Sequence, residues 1–417
     1  VLSDLPWLAS KPAMRVLDLL NADGEEARVV GGAVRNALMG LPVGDIDIAT
    51  TALPEEVVRR AQAAHIKAVP TGIAHGTVTL VLHDEAFEVT TLREDIETFG
   101  RKAKVAFGRD WARDAQRRDF TINGLSWARD GAVHDHVGGL DDIAARRVRF
   151  IGDPDRRIAE DYLRILRFFR IQAAYGAGAP DRAAFDACIR GRAGLASLSA
   201  ERVRAELLKL LIADGAVAAL DAMSDCGLLV ALTGGVPYLQ VFANMAQVEH
   251  DLGLAPDAMR RLAALSVATT EDAARLTSRL RLSNAESRAL QSMADGWWWL
   301  RGLDDGGAKR ILYRLGPVRY RDRLLLTFAR GDGCDAARRR ELATLSDRWD
   351  APVFPLKATD FIARGIAEGP ALGHVLALAE DAWIAAEFPS GSDTIVAIAD
   401  ASVADFARAH RYDGNRT

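Results

Sequence analysis

Two carboxylates one residue apart, Asp45 and Asp47 in GDIDIAT, follow ten residues behind the arginine of a Gly-Gly-x-x-Arg element, GGAVR. Alternate residues of a strand project to the same side, so the pair sits about 6–7 Å apart at Cα and can share divalent cations. Hard oxygen ligands that leave room for substrate phosphates are what Mg2+ requires. Two such ions can activate an attacking hydroxyl and neutralise a pyrophosphate leaving group. A bare Asp-x-Asp reads first as a solvated strand face; its place behind the glycine pair gives the metal reading precedence. Gly31 and Gly32 lie between a strand and a helix, where side-chain-free backbone approaches phosphate oxygens and Arg35 can add a charge-assisted contact. Alone, such a turn is structural. Glu88, in AFEVTT, lies between Phe87 and Val89 in a later strand and either faces water or joins the same metal site.

Further along, RRDFTIN supplies Arg117, Arg118, Asp119 and Asn123. An Asp acceptor and an Arg donor together satisfy sugar hydroxyls that a deoxyribose would leave unpaired. A surface Arg–Asp network is the plainer reading. In DPDRRIAEDYLRILRFFR, Arg157, Asp161 and Arg164 are spaced i, i+4, i+7 and are expected on one helix face, opposite an apolar stripe, with Arg167 a turn further on. The pairing edges of cytosine and adenine both offer an amino donor beside a ring-nitrogen acceptor, whereas uracil and guanine offer a carbonyl beside an N–H. Asp161 and Arg164 suit the first pair and mismatch the second; an intrahelical Asp161–Arg164 ion pair would form with or without that role.

The elements that must carry these residues are legible in outline. ARVVGGAVRNALMG reads as strand, glycine turn and helix, and GDIDIAT as a strand with Ile46 and Ile48 on one face. Pro54 opens a helix, and GTVTLVLH and AFEVTTL form a hairpin through HDEA. Beyond Asp141 strand patterns nearly vanish. Asp153–Pro154 is a cap followed by a first-turn proline, after which Ile158, Tyr162, Leu166 and Phe169 recur at helical spacing. The expected class is α+β: a mixed-sheet head over 1–136, then an all-α neck (137–205), body (206–290) and tail (291–417).

Composition agrees with a soluble, several-part chain: 417 residues, 49% hydrophobic, 26% charged. No apolar run approaches the roughly 18–20 residues of a membrane span, and VLSDLPWLASKP carries acid where a signal peptide needs basic charge. Cys188, Cys226 and Cys334 stand in no disulfide or zinc pattern, which points to a reducing cytoplasm. The net charge of −4 hides two basic blocks, +5 over 101–170 and +8 over 275–340, which could form a track for a polyanion or merely solvated helix faces. GWWWL (297–299 being Trp) could stack on RNA bases, but three adjacent tryptophans cannot share one helix face, and core packing is the expected role.

The ordered motifs VVGGAVRN, GDIDIAT, TGIAHGTVT, FEVTTLR, RRDFTINGL and EDYLRILRFFR resemble those of the class II CCA-adding tRNA nucleotidyltransferases and their bacterial poly(A) polymerase relatives, a branch of the polymerase-β superfamily. The resemblance covers about residues 28–170 and is weak in the helical remainder. It implies an enzyme that adds C, C and A to tRNA 3′ ends from CTP and ATP without a nucleic-acid template, with Mg2+ at Asp45 and Asp47 and pyrophosphate as product. Glu88 would assist catalysis, RRDFTIN would contact ribose and phosphates, and Asp161 and Arg164 would act as a protein template. A poly(A) polymerase or an A-adding enzyme of the same family is the close alternative; a non-catalytic RNA-binding relative is an alternative of another class. The family's usual GGxxRD is GGAVRN here, so Asn36 stands for an acid and an ion pair there is lost. Residues 93–116 suit a mobile loop, which in this family accompanies addition of the terminal A; Phe99–Gly100 stands where Asp–Gly is common. Some relatives carry an HD phosphohydrolase domain, but beyond residue 137 the one His–Asp dipeptide is His250–Asp251, without an upstream histidine from 137 to 249, and is expected to be a surface pair. The basic block 275–340 is the candidate tRNA phosphate surface.

Overall fold

The computed structural model describes residues 10–73, 76–99 and 102–413. Contacts divide the chain into two units, Val1–Pro237 with Leu276–Leu282, and Tyr238–Arg275 with Ser283–Thr417.

The first unit is built on a mixed sheet. Its strands are β1 (Ala27–Val30), β2 (Asp47–Thr50), β3 (Lys67–Gly72), β4 (Thr77–Leu82), β5 (Glu85–Thr91), β8 (Ser126–Ala128) and β9 (Val133–His134), in the order β3-β4-β5-β2-β1-β8-β9. Only β2 and β5 run parallel; the other neighbours are antiparallel. Ile46 and Ile48 are buried while Asp45 and Asp47 are exposed, but the strand expected through both acids begins only at Asp47, and Asp45 lies in the segment that leads into it. The β4–β5 hairpin turns on His83 and Asp84, both at positive φ, as a two-residue turn between twisted strands requires. Helices α1 (Lys11–Leu20), α2 (Gly32–Leu38) and α3 (Pro54–Ala63) flank these strands. Arg60 of α3 is buried and donates to the carbonyls of Leu19 (3.2 Å) and Ala22 (3.0 Å), satisfying the open end of α1.

Within the stretch expected as a loop, the described residues form β6 (Arg93–Phe99) and β7 (Lys102–Phe107), a separate antiparallel pair, followed by α4 (Trp111–Gln116). Gly100 and the residues His75 and Ala74 of TGIAHGTVT lie outside the described residues. The charges suggested a loop, but strand pairing is made by the backbone, and Asp110 caps α4 by accepting from the N–H groups of Ala112 (2.9 Å) and Arg113 (3.2 Å).

The helical part of this unit contains α5 (Gly139–Ala144), α6 (Pro154–Glu160), α7 (Leu163–Tyr175), α8 (Arg182–Gly191) and α9 (Ala200–Leu211). The continuous helix expected through Arg157, Asp161 and Arg164 is broken: Asp161 has extended backbone (φ −157°, ψ 106°), and α7 restarts at Leu163. The break is satisfied locally. The Asp161 carboxylate accepts from the Leu163 N–H (3.1 Å), and Arg164 donates to the Arg157 carbonyl (2.6 Å). A seam of rings fixes α7 against the RRDFTIN segment. Phe120 lies 4.9 Å from Phe150 and 6.4 Å from Phe168, and Phe168 lies 5.4 Å from Phe169. Phe120, Phe168 and Phe169 are fully buried.

The second unit is helical. Helix Asp305–Ala329, kinked at Gly316–Pro317, packs against Leu239–Asp251 and Asn284–Ala294 with Tyr320, Leu324 and Phe328 buried. Glu249 is buried between Arg260 (3.0 Å) and Arg261 (2.8 Å). His250 and Asp251 are exposed at the end of their helix. The tryptophans depart from the expected core role. They form a 3-10 turn, in which Trp297 is half-buried under Arg330 (4.4 Å from its ring), while Trp298 is 45% and Trp299 68% exposed. One turn of three residues per revolution sends successive rings outward in different directions.

Candidate active site

A cavity of about 650 Å3 opens in the first unit where the glycine turn, the Asp-x-Asp strand, the RRDFTIN segment and α7 converge. Its wall includes Gly31, Gly32, Arg35, Asp45, Asp47, Arg118, Asp119, Asn123, Asp161, Arg164 and Arg167. Residues from 31 to 167 thus meet in one place, brought there by β1–β2 pairing and the aromatic seam.

The glycine turn is tight for a stated reason. Gly31 has φ +71°, a conformation that side chains resist, and a Cβ there would lie 3.3 Å from an Arg118 nitrogen. A Cβ on Gly32 would lie 3.4 Å from Arg35 Nη2. Two guanidinium groups therefore flank a strip of bare backbone.

Asp45 and Asp47 occupy the acidic end. Asp47 is in register with Glu88 on the parallel strand. Although Asp47 remains accessible at the cavity mouth, partial desolvation by the surrounding protein, and then the Glu88 charge, push its carboxyl above its ordinary range; Arg118 pulls the other way and Asp45 adds to the rise. Glu88 is exposed and does not line the cavity; it acts on Asp47 through charge. Crowded, partly desolvated carboxylates are the donor chemistry of a hard divalent cation, and Asp45 and Asp47 fit that role. No cluster of three or more His, Cys, Asp or Glu side chains is gathered for a metal among the described residues. Two carboxylates with open positions match a cation that shares its shell with substrate oxygens.

The RRDFTIN residues divide their work. Asp114, almost fully buried, binds both Arg117 (2.7 Å) and Arg118 (3.1 Å). Burial opposes its ionisation, but the Arg117 and Arg118 charges hold it below the usual carboxylate range. Only Arg118 reaches the cavity; Arg117 does not, and its carbonyl accepts from Arg157 (2.5 Å). Asp119 accepts from Arg167 (2.5 Å), Asn123 (3.3 Å) and the Phe120 N–H (2.9 Å). Against the cost of burial, Arg167 and these hydrogen bonds keep its carboxyl below its ordinary range. Asp119 itself is nearly buried while Arg167 stays 36% exposed, so the network lies in the cavity wall and not on an open face.

Across the cavity stand Asp161 and Arg164. The expected ion pair between them is absent. Asp161 Oδ2 accepts from Arg202 of α9 (2.5 Å), and Arg164 pairs with Glu160 (2.6 Å). Arg157, expected on the same face, is turned away by the helix break. It binds Glu160 (2.5 Å) and the carbonyls of Arg117 and Arg118, tying α6 to the RRDFTIN segment. The cavity also takes in Asn36, Gly44, Arg170, Ile171 and Lys209, none of which the motifs singled out as ligands. Arg170 is one turn beyond Arg167 and could have been found by helical spacing; Lys209, on α9, carries no sequence signal. Six cationic side chains face four carboxylates in the wall, so the cavity attracts polyanions everywhere except at the Asp45–Asp47 end.

Residues 27–149 match the model of the poly A polymerase head domain, and residues 181–240 that of a probable RNA and SrmB-binding site of polymerase A. Over 381 residues the chain is 34% identical to the mitochondrial CCA tRNA nucleotidyltransferase 1 of Danio rerio, covering 89% of this chain and 86% of that protein. It is 39% identical over 225 residues to the CCA-adding enzyme of Geobacillus stearothermophilus, covering 53% and 54%. The crystal structure of the Bacillus stearothermophilus CCA-adding enzyme in complex with CTP superposes with a TM-score of 0.77 at 26% identity, covering 95% of this chain and 98% of that one. The Thermotoga maritima CCA-adding enzyme complexed with tRNA shares the fold, with a TM-score of 0.68 at 18% identity over 96% and 98% of the chains.

Proposed function

The chain belongs to the family of CCA-adding tRNA nucleotidyltransferases, and on that premise we infer that it extends tRNA 3′ ends with C, C and A from CTP and ATP, without a nucleic-acid template. The terminal tRNA hydroxyl attacks the α-phosphate of the nucleotide, a new phosphodiester bond forms, and pyrophosphate leaves. One observation carries the assignment of this reaction to the cavity: the Asp-x-Asp pair and the bare glycine turn share one cavity with an Asp and an Arg from a different helix.

In this reading the triphosphate lies along Gly31 and Gly32 between Arg35 and Arg118, whose charges offset its own. Asp45 and Asp47 hold Mg2+, which when bound polarises the phosphate and lowers the pKa of the attacking hydroxyl. Glu88, on the adjacent strand, would assist by its charge, which disfavours an ionised Asp47 without a cation and so strengthens that carboxylate's need for one. Asp119 and Asn123 receive the ribose hydroxyls, with Arg167 holding Asp119. Asp161 accepts from the exocyclic amino group of C or A while Arg164 donates to the ring nitrogen. Arg117 and Arg157 position these groups and do not touch the nucleotide. We assign tRNA binding to the tail, where exposed Trp298 and Trp299 lie within the basic block 275–340, and we keep the division into head, neck, body and tail as a proposal. Three free thiols support a reducing compartment such as the cytoplasm.

The test offers CTP alone, then CTP with ATP, to a tRNA that ends before its CCA. Addition of two cytidines, then one adenosine, and rejection of UTP and GTP are expected. Processive use of ATP on arbitrary RNA with no CTP incorporation would overturn the reading in favour of a poly(A) polymerase.

A further inference from the structure

We propose that Asn36 is a positioning residue that locks the Arg35 guanidinium beside the glycine turn while leaving its charge uncancelled for the nucleotide's phosphates. This rests on the cavity being the nucleotide site.

The contrast with its neighbours carries the argument. Four other arginines line the cavity, and each has a carboxylate partner: Arg118 with Asp114 (3.1 Å), Arg164 with Glu160 (2.6 Å), Arg167 with Asp119 (2.5 Å) and Arg170 with Glu206 (2.5 Å). Arg35 makes no ion pair among the described residues, although it is only 7% exposed. Its Nε (3.1 Å) and one Nη (2.8 Å) donate to Asn36 Oδ1, its other Nη donates to Asn123 Oδ1 (2.5 Å), and its guanidinium carbon lies 3.7 Å from the centre of the Tyr175 ring. Its oxygen partners, the Asn36 and Asn123 amides and the Tyr175 hydroxyl, are all neutral, and the Asp119 carboxylate acts on it by charge without an ion pair. Burial accordingly lowers the Arg35 pKa, the direction taken by a cation whose counter-ion has yet to arrive.

Chemistry also says why position 36 holds an amide. Asn36 Nδ2 donates to the Pro42 carbonyl (2.8 Å) while Oδ1 accepts from Arg35. One end donates and the other accepts, so the amide's orientation is determined; the aspartate of the usual family motif could still accept from Arg35, but it would lose the donation to the Pro42 carbonyl and offset the Arg35 charge. The same residue thus ties the Arg35 fork to the segment that leads into Gly44 and Asp45, and leaves one full positive charge facing the bare backbone of Gly31 and Gly32.

The experiment compares Asn36→Asp and Asn36→Ala by steady-state kinetics and by inhibition with inorganic tripolyphosphate at fixed free magnesium. Asn36→Asp should raise the KM for CTP and for ATP alike by about five- to tenfold, with kcat changed by less than about threefold, and should raise the tripolyphosphate Ki by a similar factor, because the lost interaction is with phosphate alone. Asn36→Ala, which removes the acceptor without adding charge, should raise KM by less than half as much. Equal effects of the two variants, or an unchanged KM and Ki in Asn36→Asp, would overturn the proposal. If Asn36→Asp fails to fold by thermal melting, the Ala variant decides alone: a KM rise above fivefold contradicts the charge argument, and a smaller rise with an unchanged tripolyphosphate salt dependence supports it. Asp47→Asn separates the two levels of inference. Activity surviving that change overturns the nucleotide site itself, whereas loss of activity there with a wild-type KM in Asn36→Asp overturns this proposal only.

Discussion

Asp47 is held in the fold in the state that suits it least without a cation. Its carboxyl is pushed up by partial desolvation and by Glu88, so in the folded protein the protonated form is favoured relative to the unfolded chain. The stability from this group is full below the unfolded carboxylate range and is lost as pH rises through the higher folded value. At pH 7 the ionised side chain is a cost. Asp47→Asn should therefore raise the unfolding temperature in metal-free buffer, by on the order of 1 °C at pH 7 and by less as pH falls toward 4. Nucleotide incorporation should drop by at least about 100-fold. Calorimetry beside a primer-extension assay reads both, and a lowered unfolding temperature would contradict the account. Base choice belongs to the same scale. Asp161→Ala should cut discrimination of CTP over UTP by at least about tenfold, measured as the ratio of kcat/KM values; unchanged discrimination with reduced rate would assign Asp161 to structure.

In the proposed reading, base choice depends on the break between α6 and α7, because a straight helix would continue through Asp161 and remove the bend that turns it toward the cavity. Tyr162 sits at that break, and a Cβ on Gly194 would fall 2.1 Å from its ring. The whole ring, not a flexible end, would have to move. Gly194→Ala should destabilise the first unit by roughly 1–3 kcal/mol and raise nucleotide KM, read by denaturant titration and steady-state kinetics. Normal stability and KM would mean that Tyr162 has room the packing does not show. Helical periodicity could not reveal the break, since buried Ile158 and Leu166 continue one apolar stripe across it. The hairpin β6–β7 was hidden for the opposite reason: its charged residues masked a pairing made by backbone.

At the scale of the whole molecule, charge is segregated rather than abundant: a net −4 coexists with a block of +8 over 275–340. Binding of tRNA should weaken with salt, with a log–log slope that counts the phosphates neutralised. Trp298 and Trp299, exposed in that block, are available to stack on unpaired bases, each such contact worth about 1–3 kcal/mol. The double change Trp298→Ala, Trp299→Ala should lower tRNA affinity by at least about fivefold and leave the KM for CTP and the melting profile unchanged, as measured by filter binding and kinetics. An unaltered tRNA affinity would place the RNA surface elsewhere.

The chemistry of the head was legible because its residues act at short range. A glycine pair at a strand–helix turn and two acids at i, i+2 need only local geometry, and their order along the chain already pointed to phosphate and cation chemistry. Partnerships were not legible. Arg35 finds Asn123, Asp119 finds Arg167 and Asp161 finds Arg202 across 41 to 88 residues, and Lys209 reaches the same cavity from a helix with no motif. Each depends on how rings and strands pack, and a spacing rule sees one element at a time. Tertiary structure alone decided which arginines line the cavity and which, like Arg157, tie neighbouring elements together, because each partnership depends on packing between distant parts of the chain.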